Sequence, residues 1–358
     1  MSSGLQGGYT TGCCAAAAAK AAALVLSGHA APPAVALTLP DGDQITLPVA
    51  AIQLTDDCCT ASIRKDAGDD PDVTHGSLVM VSLSRCDGTG IQFRAGEGVG
   101  TVTLPGLAIP PGEPAINPGP RLMIEQAIRE VTSAGLTVTV SIPGGRELAQ
   151  KTFNPRLGII DGLSILGSTG RVRPFSHDAV RESIRCSLAI ATASGITEPV
   201  FVPGHIGARA AERHLCLAKH QLVEVGNEWG YMLQHAVAAP LERLLLLGHP
   251  GKLAKLRQGQ WDTHSSRSES ALPGVAQLCS KLFGQFPPAT PTVEGLFLAL
   301  DAPDRSLLAA ALAGGIAEKV IQTFKPPFPV AVVLTDNNGA WLGSSGEIAP
   351  WQGKESIS

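Results

Sequence analysis

The sequence predicts a mixed α/β protein of two domains: an α+β N-terminal domain followed by an α/β, Rossmann-like domain with a mostly parallel sheet. The chain has 358 residues, which is long enough for two hydrophobic cores. Short strands with interspersed helices fill the first part, as in α+β domains. From about Asn154, strands and helices alternate regularly, which is typical of a parallel sheet covered on both faces. We therefore expect domains at residues 1–153 and 154–358.

The N-terminal segment predicts a helix with an exposed amide end. Thr10, Thr11 and Gly12 precede two cysteines and a run of alanines that Lys20 interrupts. Alanine is the strongest helix former, and threonine is a favoured N-cap. Free amide groups at a helix start attract anions, so these three residues are candidates for binding negatively charged groups. The alternative is a helix whose alanines serve packing alone.

The other elements of the first domain follow from alternation and turn residues. A turn is expected at Asp41-Gly42-Asp43, between two strands. Pro120 opens a helix with one apolar face, and Gly135 is its predicted C-terminal cap. Strands are predicted at residues 34–39, 44–47, 79–83, 91–94, 99–104 and 137–142.

In the second domain, apolar strands alternate with helices. A helix is expected from about residue 178 to 194, with Ser176 as its cap and Gly195 as its stop. Further helices contain Arg209 and Tyr231. Strands are predicted at residues 157–160, 199–202, 222–225, 243–247 and 330–334.

Glycines follow four of these strands closely, at Gly162, Gly204, Gly226 and Gly248. Ligands of open α/β sheets bind in the crevice outside the carboxyl ends of the strands. Glycine at such a position lets ligand atoms approach the backbone. The repeated pattern favours a ligand crevice over tight turns alone.

Composition and charge exclude several classes of protein. The formal net charge is -4 and aromatic residues make up 4% of the chain, which argues against a nucleic-acid binder. Apolar runs such as residues 244–247 are too short to span a bilayer. No positive charge precedes the apolar N-terminal run, unlike in a signal peptide. We expect a cytoplasmic protein without a membrane partner.

Familiar nucleotide, hydrolase and metal motifs are missing. Gly96-Glu97-Gly98-Val99-Gly100 differs from the dinucleotide fingerprint and precedes a strand, while Gly251-Lys252 lacks the rest of a P-loop. No G-x-S-x-G elbow occurs. The eight cysteines include no C-x-x-C and no zinc spacing, which predicts reduced, mostly buried thiols and no metal site.

Two loops concentrate charge. Glycines, hydroxyls and two arginines in the loop 167–173 suit an anionic or zwitterionic ligand, with a solvated turn as the alternative. The loop 66–74 holds four carboxylates, which suit a hard cation or acid–base chemistry. A hydrogen-bonded acidic turn beside Arg64 and Lys65 is the alternative. His264 and Ser265 are adjacent in sequence and do not predict a serine triad.

Several segments together resemble the CbiD family of cobalt-precorrin-5B C1-methyltransferases, from the anaerobic cobalamin pathway. The similarity runs in order through nearly the whole chain, although Cys14 and the Glu228-Trp229 pair look atypical. The matching stretches are residues 8–12 with the alanine run, 65–74, 96–100, 113–118, 154–158, 162–174, 226–233, 248–253 and 263–265.

The resemblance implies that S-adenosylmethionine donates a methyl group to carbon C1 of a cobalt-bound macrocycle, giving cobalt-precorrin-6A and S-adenosylhomocysteine. It makes the first domain the expected corrinoid platform and the second the donor crevice. Cobalt enters as part of the substrate. The candidate donor contacts are Gly162, Ser168, Thr169, Gly170, Gly204 and Asn227. The candidate contacts to substrate carboxylates are Thr10, Thr11, Gly12, Arg64, Lys65, Arg171, Arg173 and Lys252.

A sulfonium methyl group is already activated, so alignment of donor and acceptor is the main requirement. A base for a proton lost from the macrocycle is sought among Asp66, Asp161 and His264. Two other readings stay open: a nucleotide-dependent oxidoreductase that uses the same crevice, and a non-catalytic tetrapyrrole carrier. The oligomeric state does not follow from the sequence, and a homodimer is one option.

Overall fold

A computed structural model describes residues 5–353 apart from 173, 175, 176, 286 and 288, and leaves out the side chains of 178 and 179. The chain forms two compact units, residues 1–179 and 180–358. This division lies after the expected boundary at 153/154. Residues 159–160 and 171–172 form strands that pair with strands of the first unit, which explains the difference. The assignment of a platform and a donor crevice to the two domains stays a prediction.

The first unit is built on a five-stranded sheet in the order β4-β5-β6-β9-β7. Strands β7 and β9 are parallel, and the other pairs are antiparallel. A separate hairpin joins β2 to β3, and two short pairs join β1 to β11 and β8 to β10. The elements are β1 Gly8–Tyr9, α1 Thr11–Leu26, β2 Ala34–Thr38, β3 Gln44–Pro48, β4 Ala51–Leu54, β5 Cys58–Arg64, β6 Leu78–Arg85, β7 Ile91–Ala95, β8 Thr101–Val102, α2 Pro118–Arg129, β9 Leu136–Ser141, α3 Gly145–Ala149, β10 Ile159–Ile160 and β11 Arg171–Val172.

Helix α1 is buried along almost its whole length, and its composition permits this. The Oγ1 of Thr10 accepts a hydrogen bond from the amide of Cys13 at 3.1 Å, so the predicted N-cap is confirmed. The helix packs against α2 and against strands β5 and β6. A Cβ on Gly12 would stand 2.7 Å from the Cγ of Pro120, so only glycine allows this approach without a shift. Close packing therefore accounts for the alanines.

The second unit holds a five-stranded sheet in the order β13-β12-β14-β15-β16. The first four strands are mutually parallel, and β16 is antiparallel to β15. Separate hydrophobic clusters cover the two faces: α4, α6 and α7 to α10 contribute to one, and α5 and α11 to the other. The elements are α4 His177–Ala193, which begins at the division between the units, β12 Val200–Val202, α5 His205–His214, β13 Leu222–Glu224, α6 Trp229–Ala238, β14 Leu244–Gly248, α7 Pro250–Arg257, α8 Leu272–Phe283, α9 Val293–Ala299, α10 Ala302–Phe324, β15 Val330–Thr335, β16 Trp341–Ser345 and α11 Ala349–Gln352.

The fold is thus mixed α/β, with parallel strands in both five-stranded sheets. Four of the five strands predicted for the second domain lie in the parallel sheet, at β12, β13, β14 and β15. The expected strand at 157–160 is wrong in extent and place: only β10 forms, and it pairs with β8. Strands β4 and β5 were not expected. The predicted helix at Pro120 begins two residues earlier and ends before Gly135.

Helix α10 is long and apolar enough to cross a membrane by length and composition, and it is the one such helix in the part of the chain that is described. Leu308, Leu312 and Ile316 of this helix are fully buried in the second unit's core. Buried core helices also meet this criterion of length and composition, so it is weak evidence for a membrane span.

Candidate functional site at the carboxyl edge of the parallel sheet

The parallel sheet of the second unit has a topological switch point at its carboxyl edge. Strand β12 is followed in sequence by β13 on one side and then by β14 on its other side. The connections therefore leave β12 and β14 in opposite directions, an arrangement that in open α/β sheets forms a crevice between the two strand ends. Ligands of open α/β sheets bind at such a point.

Gly204 follows β12 at this edge and leaves space open above it. No atom outside its chain neighbours lies within 4 Å of the position that a Cβ would take. Its backbone φ is +156°, a value that residues other than glycine rarely adopt. The predicted place of this glycine at a strand end is confirmed, as are those of Gly226 and Gly248.

Asn227 and Lys252, which follow β13 and β14, meet at the same edge. The Nζ of Lys252 donates a hydrogen bond to the Oδ1 of Asn227 at 2.9 Å. The same Oδ1 accepts from the Oγ1 of Thr263 at 3.1 Å. Burial and the nearby charge of Lys255 lower the pKa of Lys252 below its ordinary value. The structure thus joins residues that the sequence assigned to two different ligands.

His249 fixes the start of α7 beside this pair. Its Nδ1 accepts a hydrogen bond from the amide of Gly251 at 2.9 Å. Burial lowers the pKa of His249, which favours the neutral imidazole that this bond requires. The helix end is therefore capped by the protein itself.

Thr335 ends β15 at the same edge of the sheet. It is 1% exposed, and its hydroxyl has no hydrogen-bond partner among the described residues. A buried polar atom without a partner is rare in folded proteins and calls for a partner such as a water or a ligand. Leu334 pairs with Gly248, so Thr335 lies next to the beginning of the segment that carries Lys252.

Two open cavities, of about 590 and 370 Å³, lie near the segment 258–270 of the second unit. Both include Trp261 in their lining, and neither is lined by Gly204, Asn227 or Lys252. Within the larger one, Arg267 and Asp262 pair with each other. We place the candidate site at the switch point because polar groups with unused donors converge there.

The N-terminal candidates lie in the first unit, where the amides of Thr10 and Gly12 already have partners. The amides of Thr10 and Gly12 donate to the carbonyls of Gly170 and Leu166 at 3.0 and 3.1 Å. The Oγ1 of Thr11 accepts from the amide of Leu166 at 3.0 Å. The amides of Thr10 and Gly12 are therefore not free to bind anions, and the substrate contacts of all three residues stay a prediction.

Lys65, also in the first unit, is fully buried. Its Nζ donates to the Oδ2 of Asp72 at 2.7 Å, and Asp72 also accepts from the amide and hydroxyl of Thr74. Burial alone would raise the pKa of Asp72, but the hydrogen bonds and the charge of Lys65 bring it below its ordinary value. Lys65 is thus committed to an internal ion pair, and the acidic loop is a hydrogen-bonded turn. The described residues contain no cluster that would hold a metal ion.

The other basic candidates are exposed, with one exception outside the described residues. Arg64 donates to the carbonyl of Gly76 at 2.8 Å, and Arg171 donates to the Oδ2 of Asp43 at 2.8 Å. Both leave part of the guanidinium open to solvent. Arg173 lies outside the described residues.

The three candidate bases are exposed and lie in two units. In the first unit, Asp66 accepts from the amide of Gly68, and Asp161 pairs with Arg146 at 2.9 Å. Asp161 has a φ of +65°, which is uncommon outside glycine. In the second unit, the Nδ1 of His264 lies 2.8 Å from the Oγ of Ser266. Nothing in these contacts selects one of the three as the base.

The predicted donor contacts lie in both units, whereas all of them were expected in the second domain. Gly162, Ser168, Thr169 and Gly170 belong to the first unit, and the strand before them is not part of the parallel sheet. The backbone of Gly162 packs on Gly98, and Ser168 and Thr169 are exposed. Only Gly204 and Asn227 of the predicted set lie at the carboxyl edge of the parallel sheet. The donor contacts of the other four stay a prediction.

Sequence reasoning missed His249, Thr335 and Lys255 as site residues. The first two end predicted strands, so the strand pattern could have named them. Lys255 is 8% exposed and follows Lys252 by three residues, which places both lysines on one side of α7. Its burial is a result of the tertiary fold.

The fold and the site together define a mixed α/β protein with a candidate small-molecule crevice at a switch point. Comparison with known proteins narrows this class. The CbiD family model matches residues 1–174. A protein of Syntrophotalea carbinolica named cobalt-precorrin-5B C(1)-methyltransferase is 53% identical over 98% of this chain and 100% of its own. A protein of the same name from Burkholderia cenocepacia is 41% identical over 95% and 97%.

A solved structure is also similar: the 1.9 Å crystal structure of a cobalamin biosynthesis protein, CbiD, from Archaeoglobus fulgidus. It has 27% sequence identity and a TM-score of 0.39, over 74% of this chain and 83% of that one. Near-complete coverage at high identity makes the sequence relationship decisive. The chain belongs to the CbiD family.

Proposed function

We propose that this chain methylates carbon C1 of cobalt-precorrin-5B in cobalamin biosynthesis. The observation that carries the proposal is the full-length similarity to proteins named for this reaction, at 53% identity over 98% of the chain. The chain is thus a C-methyltransferase, its acceptor is a cobalt-bound macrocycle, and the cobalt belongs to the substrate.

We propose S-adenosylmethionine as the methyl donor and the switch point of the second unit as its place. The residues there fit a polar ligand with an amino-acid end. Gly204 leaves space for ligand atoms beside the backbone. Lys252 and the amide nitrogen of Asn227 have unused donor capacity, and the hydroxyl of Thr335 has no partner among the described residues. The order of β13, β12, β14 and β15 is that of a doubly-wound α/β sheet of the flavodoxin type, which also binds its ligand at the switch point.

When bound, the donor supplies a methyl group on a sulfonium, which needs no protein nucleophile. The chain's own contribution is to hold donor and acceptor in line, which can supply roughly 7–11 kcal/mol in the best cases. Asp66, Asp161 and His264 are the proposed acceptors of a proton lost from the macrocycle. Arg64 and Arg171 in the first unit are exposed cations that suit the acidic side chains of a corrinoid.

Two other readings are less well supported. An oxidoreductase would need the dinucleotide fingerprint that the chain lacks. A tetrapyrrole carrier would bind the macrocycle without a donor, whereas the full-length relatives are named as methyltransferases. We keep a cytoplasmic location, a homodimer, and the absence of nucleic-acid and membrane partners as parts of the proposal.

The proposal is tested by incubating the purified chain with methyl-labelled S-adenosylmethionine and cobalt-precorrin-5B. We expect one label per macrocycle, located at C1 by NMR, with one equivalent of S-adenosylhomocysteine. A reaction without the chain is the control. Macrocycle binding without label transfer would support the carrier instead, and turnover that requires a nicotinamide would support the oxidoreductase.

A further inference from the structure

Two lysines at the carboxyl edge of the parallel sheet carry charges that no carboxylate of the described residues neutralises. The Nζ of Lys252 donates to the Oδ1 of Asn227 at 2.9 Å. Lys255 is 8% exposed, and its Nζ donates to the carbonyl of Thr263 at 3.2 Å and to the Oγ of Ser268 at 2.7 Å. Among the described residues these neutral acceptors are their partners. Lys252 is half-buried and Lys255 is buried. Charges partly or wholly removed from water without a counter-ion are costly, so this edge attracts an anion.

Asn227 is oriented so that its donor side is free. Its Oδ1 accepts from both Lys252 and the Oγ1 of Thr263, which identifies the oxygen. The Nδ2 then has no partner in the described part of the chain. Because Oδ1 and Nδ2 share one carbon atom, the free amide N–H groups lie beside the ammonium of Lys252. Two adjacent donor groups with no acceptor between them suit the two oxygens of a carboxylate.

Asn227 and Lys252 lie on the two sides of the strand end at which the ligand crevice is expected. Strands β13 and β14 flank β12 in the sheet, so the bond between Asn227 and Lys252 links the loops on both sides of β12. Gly204 follows β12 and leaves open space where a side chain would otherwise stand. A small molecule at this strand end can therefore reach both donors.

We propose that Lys252 and Asn227 together bind a carboxylate of a ligand seated at the carboxyl end of β12. This inference rests on the proposed function and deepens it. Asn227 was predicted to bind the methyl donor and Lys252 the substrate, and here both bind the same carboxylate. The carboxylate belongs either to the amino-acid end of the methyl donor or to an acidic side chain of the macrocycle. The chemistry of recognition is the same for both sources.

The test compares two ligands by calorimetry on the full chain. S-adenosylhomocysteine carries the amino-acid carboxylate, and 5′-methylthioadenosine lacks it. The variants are Lys252→Met, which removes the charge, and Asn227→Asp, which keeps the acceptor for Lys252 and Thr263 but adds a negative charge. Lys281→Met removes an exposed lysine of α8 and serves as the matched control. Thermal unfolding verifies that each variant is folded.

If the donor supplies the carboxylate, both variants lose about tenfold or more of the affinity for S-adenosylhomocysteine, while binding of 5′-methylthioadenosine stays within about twofold. If the macrocycle supplies it, S-adenosylhomocysteine binding stays unchanged, and the KM for cobalt-precorrin-5B rises by a similar factor. Lys281→Met changes neither quantity.

The inference is overturned if both variants match Lys281→Met in S-adenosylhomocysteine affinity and in the KM for the macrocycle. Its failure is distinct from failure of the proposed function. A wild-type chain that transfers no methyl group contradicts the function, whereas the carboxylate site is judged by whether the two variants bind S-adenosylhomocysteine or the macrocycle more weakly than Lys281→Met does.

Discussion

Asp72→Asn is expected to lower the free energy of unfolding of the first unit by about 3–5 kcal/mol. The substitution keeps a similar shape but leaves the ammonium of Lys65 without its counter-ion, and Lys65 is 1% exposed. Removal of one partner of a buried pair is costly because the remaining charge stays away from water. Urea unfolding, followed by hydrogen exchange of peptides from residues 58–85, measures this unit separately.

The effect of Asp72→Asn depends on pH in a defined direction. The pKa of Asp72 lies below its unfolded value of 3.8 because of its hydrogen bonds and the charge of Lys65, which outweigh the opposing effect of burial. Its stabilising contribution is complete above about pH 4 and is lost as pH falls through the lower folded-state pKa. The difference between wild type and variant should therefore shrink below pH 4.

Asp43→Asn is the control for the ion pair. Asp43 accepts from Arg171 at 2.8 Å, but both side chains are well exposed. Exposed pairs contribute about 0–1 kcal/mol, so this variant should unfold nearly as the wild type does. Equal effects of Asp72→Asn and Asp43→Asn would contradict the buried role of Lys65.

Gly98→Ala is expected to cost about 2–5 kcal/mol of unfolding free energy, from backbone strain and overpacking together. Gly98 has a φ of +71°, and a Cβ there would stand 2.0 Å from the carbonyl oxygen of Ile142. Gly145 and Gly162 also pack their backbones against it. The segment 142–145 would have to shift to make room.

Gly144→Ala separates the effect of backbone strain from that of overpacking. Gly144 has a φ of +73°, but no atom lies within 4 Å of its Cβ position. This variant should lose only the conformational part, about 1–2 kcal/mol. The excess loss in Gly98→Ala then measures the packing of the three glycines. Equal losses in the two variants would mean that the backbones there are not in close contact.

The carboxyl edge of the parallel sheet was predictable because its residues come directly after strands, whereas the switch point depends on the strand order. The runs that form β12, β13 and β14 are short, apolar and bounded by glycine or proline, so their ends could be placed to within a few residues. Parallel strands bring their carboxyl ends to one edge. Gly204 and Asn227 were thereby expected at the same place. Lys252 was expected to bind another ligand, because its bond to Asn227 depends on strand order.

Other features depend on tertiary structure that no local pattern carries. The segment 157–160 resembles a core strand, yet strand periodicity does not state which partner it pairs with. Its assignment to the wrong sheet carried Gly162 and the loop 168–170 into the wrong unit. Strand β5 combines small and polar residues, so its burial against α1 was not visible. Lys65 looked like a surface cation in a charged loop.

The central claim is that the methyl donor binds at the switch point of the parallel sheet. Hydrogen exchange with mass spectrometry tests it without any substitution, by comparing the wild-type chain with and without saturating S-adenosylhomocysteine. The account predicts slower exchange in peptides covering residues 203–207, 226–230 and 248–253, and unchanged exchange in the hairpin 34–48. Exchange that is unchanged in all three segments of the second unit would contradict it.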